Sequence, residues 1–215
     1  MSWILILEQL LNGLQFGLML FLLAAGLTLV FGIMDMINLA HGSLYMVGAF
    51  LAAALVQATG SFALGVLLAV PATAAIGMLV RAGASNREMA LAMGVDIRRL
   101  FTLLFGVGAG LCAVAGALLG PLLAVQVGMG ENILILAFVV VVIGGIGSVR
   151  GALVGAVLVG LVDTIGRAFL PLLFGHFFQP RVASAAGPAI ASVLAYLLMV
   201  AVLYFRPRGL FQPRA

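Results

Sequence analysis

Charged residues are scarce in this sequence, and their scarcity is the first constraint on what the protein can be. Of 215 residues, only six are acidic, and all ten basic residues are arginine. Charged residues make up 7% of the composition, and the mean hydropathy is +1.34. A water-soluble protein of this size needs a polar surface that such a composition cannot supply. The composition therefore excludes an ordinary soluble protein.

Other missing features narrow the chemistry. The single cysteine, Cys112, lies in an apolar run, so no disulfide framework is possible. His176 lies far along the chain from His41, and no cluster of metal ligands surrounds either residue. No GxxxxGK[ST] loop is present, so the chain is not expected to hydrolyse nucleotide. We therefore predict no catalytic residue, metal or cofactor in this chain. We also predict no nucleic-acid partner, because the basic loops suit an anionic membrane surface.

The uncharged stretches are long enough to cross a bilayer, which requires roughly 20 apolar residues. They cover 9–34, 36–80, 100–130 and 182–205, and apart from His41 they contain no aspartate, glutamate, lysine or arginine. We predict an all-α, polytopic transmembrane helical bundle. Its seven helices are expected at about 6–33, 41–58, 62–80, 100–124, 132–147, 152–172 and 188–205.

The arginines predict how the spans are oriented. They concentrate in the polar segment 81–99, the glycine-rich turn at 147–151 and the tail 206–215. The positive-inside rule places these three regions in the cytoplasm and, by counting helices, the N-terminus outside. We therefore expect one transmembrane domain over 1–215, with helices in 1–80 and 100–205, a cytoplasmic segment at 81–99 and a cytoplasmic tail at 206–215.

Glycines spaced by four residues predict close helix packing. Gly147, Gly151 and Gly155 follow this spacing, which places small residues on one helix face and lets backbones approach in lipid. Packing within the chain and a dimer interface are the two alternatives. The surrounding stretch GGIGSVRG (144–151) is too rich in glycine for a continuous helix, so it predicts a break or tight turn.

Three polar segments could carry function. Segment 81–100 has Ser85 and Glu88 in capping-box spacing, which predicts a short helix that either lies on the membrane lipid or docks a cytoplasmic partner. Asp35, Asn38 and His41 are spaced by three residues. They either end and cap the two adjoining helices or form a polar site. Asp163 and Arg167 are spaced as a neutralising i,i+4 pair, with a proton relay as the alternative.

Four stretches resemble the permease subunits of bacterial ABC importers for branched-chain amino acids, and the LivH type most closely. They are TLVFGIMDMINLAHGSLYMVGAF (28–50), RAGASNREMALAMGVDIRRL (81–100), VVIGGIGSVRGALVGAVLVGLVD (141–163) and FRPRGLF (205–211). The resemblance implies an inner-membrane location, a LivM-type partner permease, two cytoplasmic ATPase subunits that use the ATP, and a periplasmic binding protein. It also implies that the ATPase-coupling residues are Asn86, Arg87, Glu88, Ala90 and Gly94, and that a pathway or structural motif lies at Asn38, His41 and Gly42.

The chain departs from this family at one seam. Residues 63–77 resemble the family's third helix, whereas residues 77–88 resemble the end of a later helix that enters the cytoplasmic segment. We therefore expect an internal deletion of about two spans near residues 77–81, which would impair transport. The alternatives are an autonomous channel or ion-coupled carrier that uses Asp163 or His41, and an inserted but inactive remnant.

Overall fold

The residues that the structure describes form seven α-helices. The computed structural model describes residues 3–34, 40–83 and 97–211. Within these ranges there is no strand, and the helices are α1 (Trp3–Met34), α2 (Ala40–Thr59), α3 (Phe62–Gly83), α4 (Ile97–Leu123), α5 (Met129–Gly144), α6 (Val149–Phe174) and α7 (Pro180–Phe205). The prediction of an all-α, multi-pass membrane protein is confirmed.

The helices differ in their capacity to cross a membrane. Six of them are long and apolar enough to do so, and α5 is a shorter apolar helix. Its 16 residues extend about 24 Å at 1.5 Å per residue, which is less than the roughly 30 Å of a typical hydrocarbon core. Helix α5 on its own is therefore too short to cross a hydrocarbon core of that thickness.

Helix ends differ from the sequence-based boundaries where proline and glycine are involved. Helix α7 begins at Pro180 rather than near 188 and continues through Pro188. A proline is tolerated inside a membrane helix because neighbouring groups can compensate for its missing N–H. The glycine-rich stretch breaks where expected, since α5 ends at Gly144 and Ser148 caps α6 by accepting a hydrogen bond from the Gly151 N–H.

The chain forms two compact units. Unit 1 comprises Met1–Ala24 and Leu136–Ala215, and unit 2 comprises Ala25–Ile135. Helices α1 and α5 each contribute residues to both units, whereas the other five each belong to one unit.

Unit 1 is organised around α6. A Cβ on Gly17 of α1 would lie only 2.8 Å from the carbonyl oxygen of Ala156 in α6. Gly151 meets Gly144 of α5 backbone to backbone, and a Cβ on Gly155 would lie 2.7 Å from the Val140 carbonyl oxygen. Because these contacts join backbones directly, α6 packs through its small residues.

Gly147 differs from the two glycines with which its spacing grouped it. Gly151 and Gly155 lie in α6 and face α5, whereas Gly147 lies in the preceding turn at a φ of +83°. This backbone conformation is readily available to glycine and strained for residues with a side chain. The three glycines therefore do not form one helix face, because the turn interrupts the helical repeat after Gly147.

Unit 2 is a close packing of α2, α3 and α4 around small residues. Ala52, Ala69 and Ala117 form a buried cluster, with Leu55 and Val66 packed against it. The arrangement leaves no room for a side chain at several glycines, in the same manner as in unit 1. Alanine and glycine thus set the helix separation in this unit too.

We predict that Gly151→Ala destabilises the protein by about 1–3 kcal/mol, because the added methyl would collide with the Gly144 backbone. Gly110→Ala is the matched control, since its Cβ would meet nothing closer than Val70 Cγ1 at 3.8 Å. That control should be neutral or stabilising by about 0.5–1 kcal/mol, as for glycine to alanine in a helix. Unfolding midpoints in detergent measure both, and equal effects would contradict the packing described.

Candidate functional site

The predicted site residues divide into those within and those outside the described ranges. Asn38 lies outside them, as do the five coupling residues Asn86, Arg87, Glu88, Ala90 and Gly94. His41 and Gly42 lie in the first turn of α2 and are both buried.

His41 occupies space that two glycines leave open. Its side chain is fully buried, and its Nε2 lies 2.9 Å from the position that a Cβ on Gly26 of α1 would take. Its Cε1 lies 3.4 Å from the corresponding position on Gly108 of α4. A side chain at Gly26 would collide with the imidazole, whereas one at Gly108 would only just reach van der Waals contact with the ring.

Gly42 is a backbone contact point. Its carbonyl approaches the position of a Cβ on Gly130 of α5, and the Gly130 carbonyl approaches the position of a Cβ on Gly42. A Cβ on Gly42 would also lie 3.0 Å from Leu134 Cβ. Gly42 therefore contributes close packing of α2 on α5, and it has no side chain to offer for chemistry.

Several polar side chains, His41 among them, are buried without partners in the described ranges. In the part of the chain that the structure describes, the buried atoms without a hydrogen-bond partner are Thr28 Oγ1, His41 Nδ1 and Nε2, Tyr45 Oη and Thr73 Oγ1. Leaving such a group unsatisfied costs about 1–3 kcal/mol. His41 and Tyr45 are one helical turn apart on α2, so they share a face. This face offers both donors and acceptors to a small polar molecule.

Sequence reasoning identified His41 and missed the three hydroxyl residues. The spacing of Tyr45 four residues after His41 was a usable signal, since both positions then lie on one side of the helix. Thr28 and Thr73 gave no such signal, because isolated threonines are common in membrane helices and their burial depends on the neighbouring helices.

Asp163 and Arg167 form the neutralising pair that their spacing predicts. Arg167 Nε donates to Asp163 Oδ2 at 2.8 Å, and the Asp163 residue is 6% exposed. Arg167 Nη2 also donates to Ser192 Oγ at 3.0 Å, and Ser192 donates to the Pro188 carbonyl at 3.1 Å. The pair thus links α6 to α7, and Ser192 is a partner that the sequence analysis did not identify.

The tail after α7 folds back onto the turn between α5 and α6. The Leu210 N–H donates to the Ile143 carbonyl and the Phe211 N–H to the Gly144 carbonyl, each at 2.9 Å. Gly145 and Gly209, at φ values of +101° and +81°, lie against each other where the two segments meet. Because the last carbonyls of a helix lack intrahelical partners, the tail caps the C-terminus of α5.

An apolar groove of about 900 Å³ runs along α6 in unit 1. Its walls are almost entirely apolar, and its polar residue His176 has Nδ1 at 2.9 Å from the Leu172 carbonyl. No group of three metal-ligating side chains occurs in the described ranges. The groove therefore suits hydrocarbon rather than a charged amino acid.

Known proteins resemble the chain along most of its length. The sequence model of the family described as "Branched-chain amino acid transport system / permease component" matches residues 9–82 and 75–203. The high-affinity branched-chain amino acid transport system permease protein BraD of Pseudomonas aeruginosa is 26% identical, over 95% of this chain and 95% of BraD. No solved structure matches the chain.

LivH proteins match a shorter part of the chain, as two of them illustrate. The high-affinity branched-chain amino acid transport system permease protein LivH of Escherichia coli is 30% identical over 142 residues, which is 63% of this chain and 39% of LivH. The probable branched-chain amino acid transport permease protein LivH of Methanocaldococcus jannaschii is 26% identical over 134 residues, which is 62% of this chain and 40% of that LivH protein. The chain thus aligns with about two fifths of the length of these LivH relatives.

The matches have a discontinuity near the predicted seam. The two matched segments of the family overlap at residues 75–82. The alignment with BraD runs over 307 positions, more than the 215 residues of this chain, so it contains gaps in this chain. In the structure these residues lie inside one uninterrupted helix, α3, where Gly77 packs on Ala109 of α4.

We predict that the two members of the Asp163–Arg167 pair differ in importance. Arg167→Leu leaves a buried carboxylate unpaired and should cost on the order of 3 kcal/mol. Asp163→Asn should cost less, because the Arg167 side chain is 49% exposed and retains access to polar surroundings. The double variant should recover most of the loss, as a double-mutant cycle of unfolding free energies would measure. Additive losses would contradict the pairing.

Proposed function

Because the chain belongs to the family of branched-chain amino acid transport system permease components, we propose that it is a transmembrane permease subunit of an ABC importer. Its substrates are branched-chain or related amino acids. The observation that carries the proposal is the family match, which runs from residue 9 to residue 203 and overlaps each of the six described helices that are long and apolar enough to cross a membrane.

A permease subunit without a nucleotide-binding motif needs other subunits to supply energy and substrate. We infer a LivM-type permease, two cytoplasmic ATPase subunits and a periplasmic binding protein, since this chain has no nucleotide-binding motif of its own. ATP is used by the ATPase subunits, and this chain needs no cofactor. The binding protein delivers the substrate and sets most of the selectivity.

The proposed location is the bacterial inner membrane, with a cytoplasmic C-terminus. The arginines support this orientation, because Arg150, Arg206 and Arg208 are exposed at the joined ends of α5, α6 and α7. Arg181 lies at the opposite end of α7, and Arg167 lies in the half of α6 that is farther from Arg150. Such an excess of arginine on one side is typical of the cytoplasmic face.

Coupling to the ATPase is assigned to the segment between α3 and α4. Asn86, Arg87, Glu88, Ala90 and Gly94 are the proposed contact residues, on the strength of the family resemblance. The proposed pathway element is the first turn of α2, where His41 and Gly42 follow Asn38. Support for it comes from the buried, unpartnered polar atoms of His41 and Tyr45.

An internal deletion fits the two-part family match. If the first part of the third helix of a longer permease is joined to the last part of its fifth, at equal depth in the membrane, the product is one continuous helix such as α3. Every later helix then keeps its orientation across the membrane. The absent helices would otherwise cover part of the bundle. Helix α3 accordingly exposes large apolar side chains, among them Leu67 at 68% and Leu79 at 73%. We propose that transport by this chain is weaker than by a full-length permease.

The alternative of an ion-coupled carrier at Asp163 receives less support. Its carboxylate is already paired with Arg167, so it is not available as a free ion or proton site. His41 remains available for such a role, because its two ring nitrogens have no partner in the described part of the chain.

We predict that the coupling residues determine ATPase retention. Arg87→Glu combined with Glu88→Arg should weaken co-purification of the ATPase subunits about tenfold, which corresponds to about 1.4 kcal/mol. Arg181→Glu is the matched control, because it changes an arginine on the proposed outer side and should leave retention unchanged. The measurement is pull-down of ATPase from membranes that contain all the partners.

Leucine uptake by the same membranes tests the function itself. Uptake should depend on the ATPase subunits and should rise when the region that BraD has at the seam is inserted into α3. Uptake as fast as that of a full-length permease would overturn the proposed impairment. Ion-dependent uptake by the purified chain without ATPase would overturn the importer in favour of a carrier.

A further inference from the structure

Exposed arginines gather where the tail meets the turn between α5 and α6. Arg150 is the second residue of α6, and Arg206 and Arg208 follow directly after α7. All three are exposed. We call these three residues the arginine patch.

Backbone contacts hold the two parts of the patch together. The Arg208 carbonyl oxygen lies 3.1 Å from the position of a Cβ on Gly145, and Gly145 accepts a hydrogen bond from the Ser148 N–H at 3.0 Å. The hydrogen bonds from Leu210 and Phe211 to the end of α5 fix the tail in this place. The arginines after α7 are thereby kept beside the start of α6.

None of the acidic residues that the structure describes neutralises the patch. Between residue 132 and residue 215 the sequence has one acid, Asp163, which is engaged by Arg167 within α6. None of the described carboxylates forms an ion pair with Arg150, Arg206 or Arg208. The patch therefore presents positive charge that is free to bind an external anion.

Aromatic side chains indicate the depth at which the patch lies. Tyr204 and Phe205, which precede Arg206, are 81% and 79% exposed and contact each other edge to face, with ring centroids 5.3 Å apart. Exposed aromatic residues at the end of a membrane helix lie at the level of the lipid headgroups. The arginines that follow them are then at the level of the phosphates, to which a guanidinium can donate two parallel hydrogen bonds.

We propose that the arginine patch binds the phosphate headgroup of an anionic phospholipid, and that the bound lipid strengthens the attachment of the tail to the turn. Exposed aromatics favour lipid over an acidic protein as the occupant, since they belong in the interfacial layer rather than in a fully aqueous contact. Arg214 lies outside the described residues and is not needed for this assignment.

The test uses the full chain in detergent, titrated with phosphatidylglycerol or phosphatidylcholine and followed by native mass spectrometry and thermal unfolding. Phosphatidylglycerol should bind more tightly and raise the unfolding temperature. Arg206→Gln and Arg208→Gln should each lower its affinity about fivefold, as expected for one arginine at a membrane surface. Arg181→Gln, at the other end of α7, is the matched control and should leave the affinity unchanged.

Two further variants separate geometry from charge. Gly209→Val keeps every arginine but disrupts the contact with Gly145, so it should reduce the stabilisation by phosphatidylglycerol. Arg206→Lys combined with Arg208→Lys keeps the charge without the two-bond geometry and should retain part of the affinity. Equal affinity of the unchanged chain for both lipids would overturn the proposal. It would equally fail if the patch variants lost ATPase subunits while keeping their preference for phosphatidylglycerol.

Discussion

In a bilayer, helices gain little free energy by hiding apolar side chains from lipid that is equally apolar. The structure depends instead on direct backbone approach at glycine and alanine. Helix α6 meets α1 and α5 in this way in unit 1, and α2 meets α4 and α5 in unit 2. Such contacts tolerate no added methyl group, so they fix helix separation more strictly than large, adaptable side chains would.

The same constraint explains how polar groups are distributed. Without water, each backbone or side-chain polar group needs a partner within the protein. The tail supplies one for the end of α5, and Arg167 supplies one for Asp163. His41, Tyr45, Thr28 and Thr73 are the exceptions among the described residues, because each has a buried polar atom without a partner. The pathway element proposed at the start of α2 rests on two of these residues, His41 and Tyr45.

A permease must change conformation while its helices stay packed. The close glycine contacts limit which helices can move separately. Helices joined by glycine contacts move as rigid pairs, since any separation loses many contacts at once. In the proposed importer, force from the ATPases would enter between α3 and α4. The continuous helix α3 would then carry it into unit 2, where α2, α3 and α4 pack together.

Sequence patterns alone were sufficient for several features. Uncharged runs located the seven helices, glycine content located the turn after Gly144, and spacing located the Asp163–Arg167 pair, because all three depend on local composition and helical periodicity. The start of α7 was misjudged, since whether Pro188 breaks the helix depends on its neighbours rather than on its own sequence.

The sequence by itself determined that this is a membrane protein with helices, a glycine turn and a predominantly positive side. Only the tertiary structure decided that the tail caps α5, that Ser192 joins the ion pair and that His41 fills the space left by Gly26 and Gly108. The physical reason is range. Hydropathy and helical spacing act over one or two turns, whereas these contacts join residues that are distant in the chain and meet only when small residues let the helices approach.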